Sequence, residues 1–202
     1  MLEHAFLPEK TTLSIIAILM TVAGFVPYLR GIWRGCVKPH VFSWLIWGMA
    51  TLLVFFAQRH DHAGVGAWPT GVSALLTSTV ALLAYRKHAD VSINAKDWLF
   101  LCIALMALPA WFITQDPLLA VIIMTGVDIA GFGPTLRKAY HHPHSEALSF
   151  YVVLVLRNLM ILLALENYSW TTILFPAAIA LTCVCLVIVV LVRKRHLSHG
   201  IC

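Results

Sequence analysis

The feature that most constrains this chain is the alternation of long apolar blocks with short charged connections. An α-helix needs about 20 mainly apolar residues, with a lower limit of about 17, to cross roughly 30 Å of hydrocarbon. The blocks are of this length, so the pattern predicts seven transmembrane helices. We expect them at 12–30, 41–57, 68–85, 98–113, 117–136, 147–165 and 170–192.

The composition agrees with a bilayer rather than a soluble core. The chain is 60% hydrophobic and 11% charged, with a mean hydropathy of +0.86, whereas a soluble domain carries about 25% charged residues. The net charge of +5 comes from residues at predicted helix ends, where they meet lipid headgroups. We therefore expect the lipid bilayer as a partner and no nucleic acid. The five cysteines match no zinc or redox spacing, so neither a metal nor a cofactor is expected.

The basic residues predict the orientation of the helices. With the N-terminus outside, the cytoplasmic side would hold eleven Lys and Arg residues, and Lys10 and Arg59 would lie on the other side. By the positive-inside rule, this bias predicts an all-α integral membrane protein with its N-terminus out and its C-terminus in. The eleven residues are Arg30, Arg34, Lys38, Arg86, Lys87, Lys96, Arg137, Lys138, Arg193, Lys194 and Arg195.

An internal repeat organises the predicted helices. Residues 23–30 are Ala-Gly-Phe-Val-Pro-Tyr-Leu-Arg, and residues 130–137 are Ala-Gly-Phe-Gly-Pro-Thr-Leu-Arg. Each segment closes a span and precedes a basic connection. The next spans also open alike, with Phe-Ser-Trp at 42–44 and Leu-Ser-Phe at 148–150.

The repeat divides the chain into two units with a linker. We expect a first three-helix repeat at 12–87, a linker helix with its flanking connections at 88–116, and a second three-helix repeat at 117–195. Because each unit holds an odd number of spans, the linker helix gives both units the same orientation. This 3+1+3 layout describes parallel repeats about an axis along the membrane normal.

This layout resembles the PQ-loop superfamily, which includes the SWEET sugar transporters, the cystinosin-type lysosomal transporters and the KDEL receptor. The family's proline is present in the first helix of each unit, at Pro27 and Pro134, but Tyr28 and Thr135 stand where its glutamine would follow. The second helices lack the prolines that SWEETs carry there. The resemblance implies a solute pathway between the units, alternating access by their rocking, and hinges at Pro27 and Pro134.

Two charged residues fall in the middle of predicted spans. Asp128 lies midway along span 5, where a charge costs at least about 2.5–3.5 kcal/mol on insertion scales; its repeat equivalent is Thr21. In cystinosin-type transporters an Asp at a similar place is tied to proton coupling, and Asp128 resembles it. Arg157, with Asn158 beside it, lies in span 6 and is the expected partner of Asp128. Their pair would be a static clamp or a switch, or Arg157 would bind a substrate carboxylate or phosphate itself.

A second candidate surface lies in the first unit. Trp44, Trp47 and Thr51 recur at i, i+3 and i+7, so they share one face of span 2. An aromatic face with hydroxyls suits a sugar ring, a nucleobase or an organic cation. Alternatively, the tryptophans are interfacial anchors and the hydroxyls bond within or between helices. A similar stripe on span 3 contains Thr70, Ser73 and Thr77.

These features favour a small-solute transporter, proton-coupled through Asp128. The alternatives are a membrane receptor on the same fold, as the KDEL receptor is, or a scaffold without a pathway. The chain contains no catalytic motif, so an enzyme is not expected. Two histidine groups, His60 with His62 and His141 with His142 and His144, would lie on opposite faces and form no common metal site. Compact size favours a bacterial inner membrane, and the oligomeric state is left open.

Overall fold

The computed structural model describes residues 9–37, 39–87, 95–141, 143 and 148–199. These residues are helical throughout apart from short connections, and no β-strand occurs among them. The helices, numbered in chain order, are α1 Lys10–Trp33, α2 Val41–His60, α3 Trp68–Arg86, α4 Ala95–Thr114, α5 Pro117–Gly131, α6 Gly133–His141, α7 Leu148–Ala164 and α8 Trp170–His199, with a 3₁₀ turn at Gly64–Ala67 before α3.

Six helical segments are long and apolar enough to cross a membrane when α5 and α6 are taken as one. They coincide with six of the seven predicted spans. The predicted span 147–165 is α7, which is apolar but has 17 residues. At 1.5 Å per residue it is about 26 Å long, near the lower limit for a spanning helix. The chain is therefore a multi-pass helical membrane protein.

The predicted fifth span, 117–136, is interrupted at Phe132. The backbone N–H of Phe132 donates to the carbonyl of Ile129 at 3.0 Å, a three-residue step that tightens the backbone relative to an α-helix. Pro134 has no N–H and cannot continue the α-helical ladder across this point. Pro27, its repeat equivalent, lies inside the unbroken helix α1. The two predicted hinge positions therefore differ in backbone conformation.

The helices pack in a regular order. α3 packs against both α1 and α2, and α8 packs against both α5 and α7. The main contacts between these groups join α1 to α7 and α2 to α5. α4 lies against α5 and, less extensively, against α2.

Small side chains occupy the helix contacts and large apolar ones cover the outside. Ala50 and Ala57 of α2 and Ala120 of α5 are fully buried, which allows the backbones to approach closely. By contrast, Phe112 and Ile113 of α4 are 80% and 79% exposed. Lipid tails solvate such side chains, so this distribution is the one expected of a bundle in a bilayer.

One end of the bundle is held by hydrogen bonds between segments far apart in sequence. We call these two segments the clasp. The first is 58–65, which begins in the last turn of α2, and the second is 165–172, which runs from the end of α7 into the first turn of α8. The backbone N–H of Glu166 donates to the carbonyl of Ala63 at 3.1 Å. The Glu166 carboxylate accepts from the N–H of Val65 at 2.9 Å. Backbone groups that would be costly to bury unbonded are thereby satisfied.

Side chains complete the clasp. The Asn167 amide donates to the Asp61 carbonyl at 2.9 Å, and the Ser169 hydroxyl donates to the Asp61 carboxylate. Gln58 of α2 is fully buried and donates to the carbonyl of Thr172 at 3.0 Å. The Lys10 ammonium, at the start of α1, adds a bond of 2.6 Å to the Leu165 carbonyl.

The opposite end, which we call the basic end, has a different chemistry. Lys87 after α3 lies 4.7 Å from the ring centre of Trp33 at the end of α1. Arg193 of α8 lies 4.3 Å from the ring centre of Tyr140 in α6. Cationic and aromatic side chains together are typical of the membrane–water interface.

Gly66 provides a test of the clasp. A Cβ there would lie 2.8 Å from the backbone of Leu165, so Gly66→Ala must push the two segments apart. We expect a cost of about 1–3 kcal/mol, seen as a lower melting temperature in detergent. Gly24→Ala and Gly126→Ala are matched controls, because a Cβ at either position meets no atom within 4 Å. A wild-type melting temperature for Gly66→Ala would contradict this packing.

Candidate functional site

The central polar contact of the bundle is made by Arg157 of α7, whose side chain is 7% exposed. Its Nε donates to the Thr21 hydroxyl of α1 at 2.6 Å, and its Nη2 donates to the Pro69 carbonyl of α3 at 3.1 Å. Thr21 in turn donates to the carbonyl of Ala17 at 2.7 Å, so both roles of its hydroxyl are used. One guanidinium therefore ties together α1, α3 and α7.

The predicted direct ion pair between Asp128 and Arg157 does not form in this structure. Asp128 is half-buried on α5, and within the described part of the chain no hydrogen bond or ion pair engages its carboxylate. The physical reason is that α8 packs between α5 and α7. Its fully buried Cys183 is near enough to interact electrostatically with both charged residues.

The charge of Arg157 is consequently met by neutral oxygens. Both of its recorded acceptors, a hydroxyl and a carbonyl, carry no formal charge. Among the described residues no carboxylate lies within 4.0 Å of it. A guanidinium stays ionised in proteins, and buried charges are normally paired with an opposite charge. This site therefore combines a fixed positive charge with a separate, titratable carboxyl group.

An aromatic cluster lies on the basic-end side of Thr21. It consists of Phe25 and Tyr28 of α1 with Trp44 and Trp47 of α2. The ring centres of Tyr28 and Trp44 are 5.0 Å apart, and those of Trp44 and Trp47 are 5.5 Å apart in an edge-to-face arrangement. The two predicted tryptophans are thus half-buried, and Trp44 contacts α1 through Phe25 and Tyr28.

Trp47 also reaches the other half of the bundle. A Cβ at Gly131 of α5 would lie 2.9 Å from Trp47 Nε1, so only glycine leaves room for the indole there. At Gly24, the repeat equivalent on α1, a Cβ would meet no atom within 4 Å. Thr21 and Gly24 are three residues apart and share a face of α1. Trp47 therefore fills the space beside Gly131, whereas the space beside the half-buried Gly24 is open.

The predicted hydroxyl residues lie on two different helices, α2 and α3. Thr51 is buried and donates to the carbonyl of Trp47, its own helix, at 2.7 Å. Thr70 and Thr77 are buried and Ser73 is half-buried on α3. Thr70 directly follows Pro69, which accepts from Arg157. In the ranges described, no recorded hydrogen bond joins the α3 hydroxyls to the tryptophans.

Two buried amide oxygens have no donor in the described structure. They are Oε1 of Gln58 and Oδ1 of Asn158. Asn158 is 1% exposed, and its Nδ2 donates to the carbonyl of Leu154 at 2.8 Å. Such groups cost free energy when unsatisfied. Sequence reasoning selected Asn158 but missed Gln58, because an amide near a helix end carries no pattern that marks it as buried.

Tyr28 and Pro69 were also missed. Tyr28 could have been found, since Thr21, Gly24 and Tyr28 recur at i, i+3 and i+7 on one face of α1. The Pro69 carbonyl is a backbone group, and which carbonyl accepts from Arg157 depends on tertiary packing. As for metals, no three His, Cys, Asp or Glu side chains cluster within the described residues. His142 and His144 lie outside those residues.

The fold and site together define a helical multi-pass membrane protein with a charged, aromatic-lined interface between its helices. Comparison with other proteins adds no family to this description: no family model, curated protein or solved structure matches the chain.

Removing the Thr21 hydroxyl tests the central contact. We expect Thr21→Val to lower the stability by about 1–3 kcal/mol, because it leaves a buried, charged N–H without an acceptor. Thermal unfolding in detergent measures this change. Thr182→Val is the matched control, because that hydroxyl bonds within α8, to Ala178. In an Arg157→Leu background the cost of Thr21→Val should shrink; an unchanged cost would contradict the contact.

Proposed function

We propose that the protein is a small-solute transporter that works by alternating access between two three-helix units. The observation that carries this proposal is the pair of ionisable residues within the predicted spans 147–165 and 117–136, Arg157 and Asp128. Ionisable residues inside a membrane usually mark substrate or proton pathways. In repeat-built transporters such sites lie near the midplane, at the interface between repeats.

The helix contacts support two units built alike. In the proposed first unit α3 packs between α1 and α2, and in the second α8 packs between α5 and α7. Exchanging the units would replace α1 by α5 and α2 by α7. The contact of α1 with α7 would then become the contact of α5 with α2, and both contacts are present. A parallel two-fold relation requires this exchange, so these contacts support the 3+1+3 arrangement, with α4 as the linker, α7 as the sixth span and α8 as the seventh.

The proposed orientation follows from the charges. The basic end contains Arg30, Arg86 and Arg193, and we assign it to the cytoplasm. The clasp then faces the opposite side of the membrane, together with the N-terminus. The bacterial inner membrane stays a prediction from chain size.

The repeat also relates the two halves of the site. An offset of 107 residues equates Pro27 with Pro134 and Thr21 with Asp128. An offset of 106 equates Ser43 with Ser149 in the second helices, and it also equates Thr51 with Arg157. Thr21 meets Arg157 where α1 packs on α7. By the same register, a two-fold relation would place Thr51 opposite Asp128, where α2 packs on α5. Each half of the interface would then oppose a hydroxyl to an ionisable group.

The two ends of the interface differ in a way that supports alternating access. At the clasp, several hydrogen bonds join the proposed units. Towards the basic end, the structure has open space beside Gly24, one turn from Thr21. We infer a state closed at the clasp. Rocking of the units would open the clasp and close the basic end, with Pro27 and the break before Pro134 as hinges.

A receptor is the second candidate, and the one-sided clasp is the observation that favours it. A receptor of this fold would keep the clasp closed and bind its ligand from one side. A scaffold is less favoured, because a charged Arg157 without a carboxylate partner is costly in an interface that only holds helices together.

Cross-linking the clasp distinguishes transporter from receptor without knowledge of the solute. In a chain with its native cysteines replaced, Thr51→Cys reports access to the interface through labelling by membrane-impermeant methanethiosulfonate. A transporter should be labelled from both sides of oriented vesicles. Adding Ala63→Cys with Glu166→Cys, whose backbones are hydrogen-bonded, should restrict labelling to the basic-end side. Labelling from both sides should return when the cross-link is reduced and the reductant is removed before the reagent is added.

The control cross-link lies within one unit. Ser14→Cys with Val65→Cys joins α1 to the 3₁₀ turn, where the Ser14 hydroxyl donates to the Val65 carbonyl at 2.7 Å. This bond should leave labelling from both sides intact. If the uncross-linked protein is labelled from the basic-end side alone, alternating access is wrong and the receptor is preferred.

The same assay tests proton coupling through Asp128. An ionised Asp128 opposes closure of the interface around it, so acid should speed the exchange of states by neutralising it. We expect labelling of Thr51→Cys from the clasp side to be faster at mildly acidic than at neutral pH, relative to Asp128→Asn at the same pH. Of the helices packed on α5, α8 brings the ionisable Cys183 near Asp128, and the native-cysteine replacement removes it. Equal pH profiles in both proteins would contradict the coupling.

A further inference from the structure

The side chain of Arg157 has hydrogen-bonding capacity beyond its recorded contacts. A guanidinium has five N–H donors, and two of them are engaged, by Thr21 and Pro69. Neither contact uses Nη1. The described residues record no acceptor for the two N–H groups of Nη1 or for the second N–H of Nη2. Two N–H groups of a guanidinium can bind a carboxylate through parallel hydrogen bonds.

The surroundings of Arg157 favour an anion there. A buried guanidinium with neutral acceptors has an uncompensated charge, and the carboxylate predicted to compensate it, that of Asp128, is not bonded to it. The adjoining Asn158 has a buried Oδ1 without a donor in the described chain. A bound anion would compensate the charge of Arg157.

The aromatic cluster suggests the rest of the ligand. On the basic-end side of Thr21, the rings of Tyr28, Trp44 and Trp47 present aromatic faces and edges. The open space beside Gly24 lies between this cluster and Thr21 along the same face of α1. Ligand sites of this kind combine an apolar wall with few polar groups that fix orientation.

We propose that Arg157 binds the carboxylate of a small organic monocarboxylate whose apolar or aromatic body lies against Tyr28, Trp44 and Trp47. This inference rests on the proposed function and names its substrate class. A neutral sugar would leave the guanidinium charge uncompensated, and an organic cation would be repelled by it. The fixed positive charge therefore selects against both, even though the tryptophans alone would accept either.

The test compares a carboxylate with its neutral amide. Purified wild-type protein in detergent is unfolded thermally with phenylacetate, with phenylacetamide, and with inorganic phosphate at matched ionic strength. A ligand of the folded state raises the melting temperature by mass action, by roughly 5 °C at about a hundredfold excess over its Kd for a chain of this size. We expect this shift with phenylacetate and less than a third of it with the amide or with phosphate.

Variants assign the effect to Arg157. Arg157→Gln should abolish the phenylacetate shift, and Arg157→Lys, which keeps the charge but not the planar fork, should reduce it. Arg59→Gln removes an exposed arginine of the clasp and should leave the shift unchanged. If Arg157→Gln does not fold, the comparison of acid and amide on the wild-type protein still decides the matter.

Three results would overturn the inference: equal shifts with acid and amide, an equal shift with phosphate, or no shift with phenylacetate at any attainable concentration. These results leave the proposed transport function standing, because its test is labelling of Thr51→Cys and uses no ligand. Conversely, a carboxylate-specific shift in a protein labelled from one side alone would identify a carboxylate receptor.

Discussion

The constraint on which this structure depends is that polar groups inside a bilayer must find partners within the protein. The backbone meets it by forming helices almost throughout the described chain. At the clasp, where the chain leaves helical structure, the exposed backbone groups of 58–65 and 165–172 bond to one another. The same constraint makes Arg157 informative, because its charge has only neutral acceptors among the described residues.

The polar contacts join the helices at two places, at mid-depth through Arg157 and at one end through the clasp. Buried alanines let the helices approach but supply little direction. Arg157 fixes α7 against α1 and α3 at mid-depth, and the clasp fixes one end. Since hydrogen bonds inside membrane proteins average well under about 2 kcal/mol each, a group of them can be exchanged during a conformational change. A bundle held this way suits a protein with two states.

The sequence predicted the helices well because apolar length and basic flanks are local properties. The spans agree with the structure to within a few residues apart from the extended α8 and the divided 117–136 segment. That division reflects Pro134, which the sequence identified as a hinge without locating the break at Phe132. The candidate residues Arg157, Asn158, Trp44 and Trp47 also proved to be inside or half-inside the bundle. Asp128 is half-buried, as a charged residue within a span would be.

By itself, then, the sequence determined a membrane-embedded helical chain, an internal repeat and the charged residues whose burial in a membrane costs free energy. Tertiary structure alone decided their partners. Asp128 and Arg157 carry opposite charges in predicted spans, but α8 packs between their helices. The guanidinium of Arg157 donates instead to Thr21 and Pro69. Pairing of side chains from different helices depends on which helices are neighbours and how they are rotated. A hydrophobic pattern fixes neither, because in lipid an apolar face has no preferred partner.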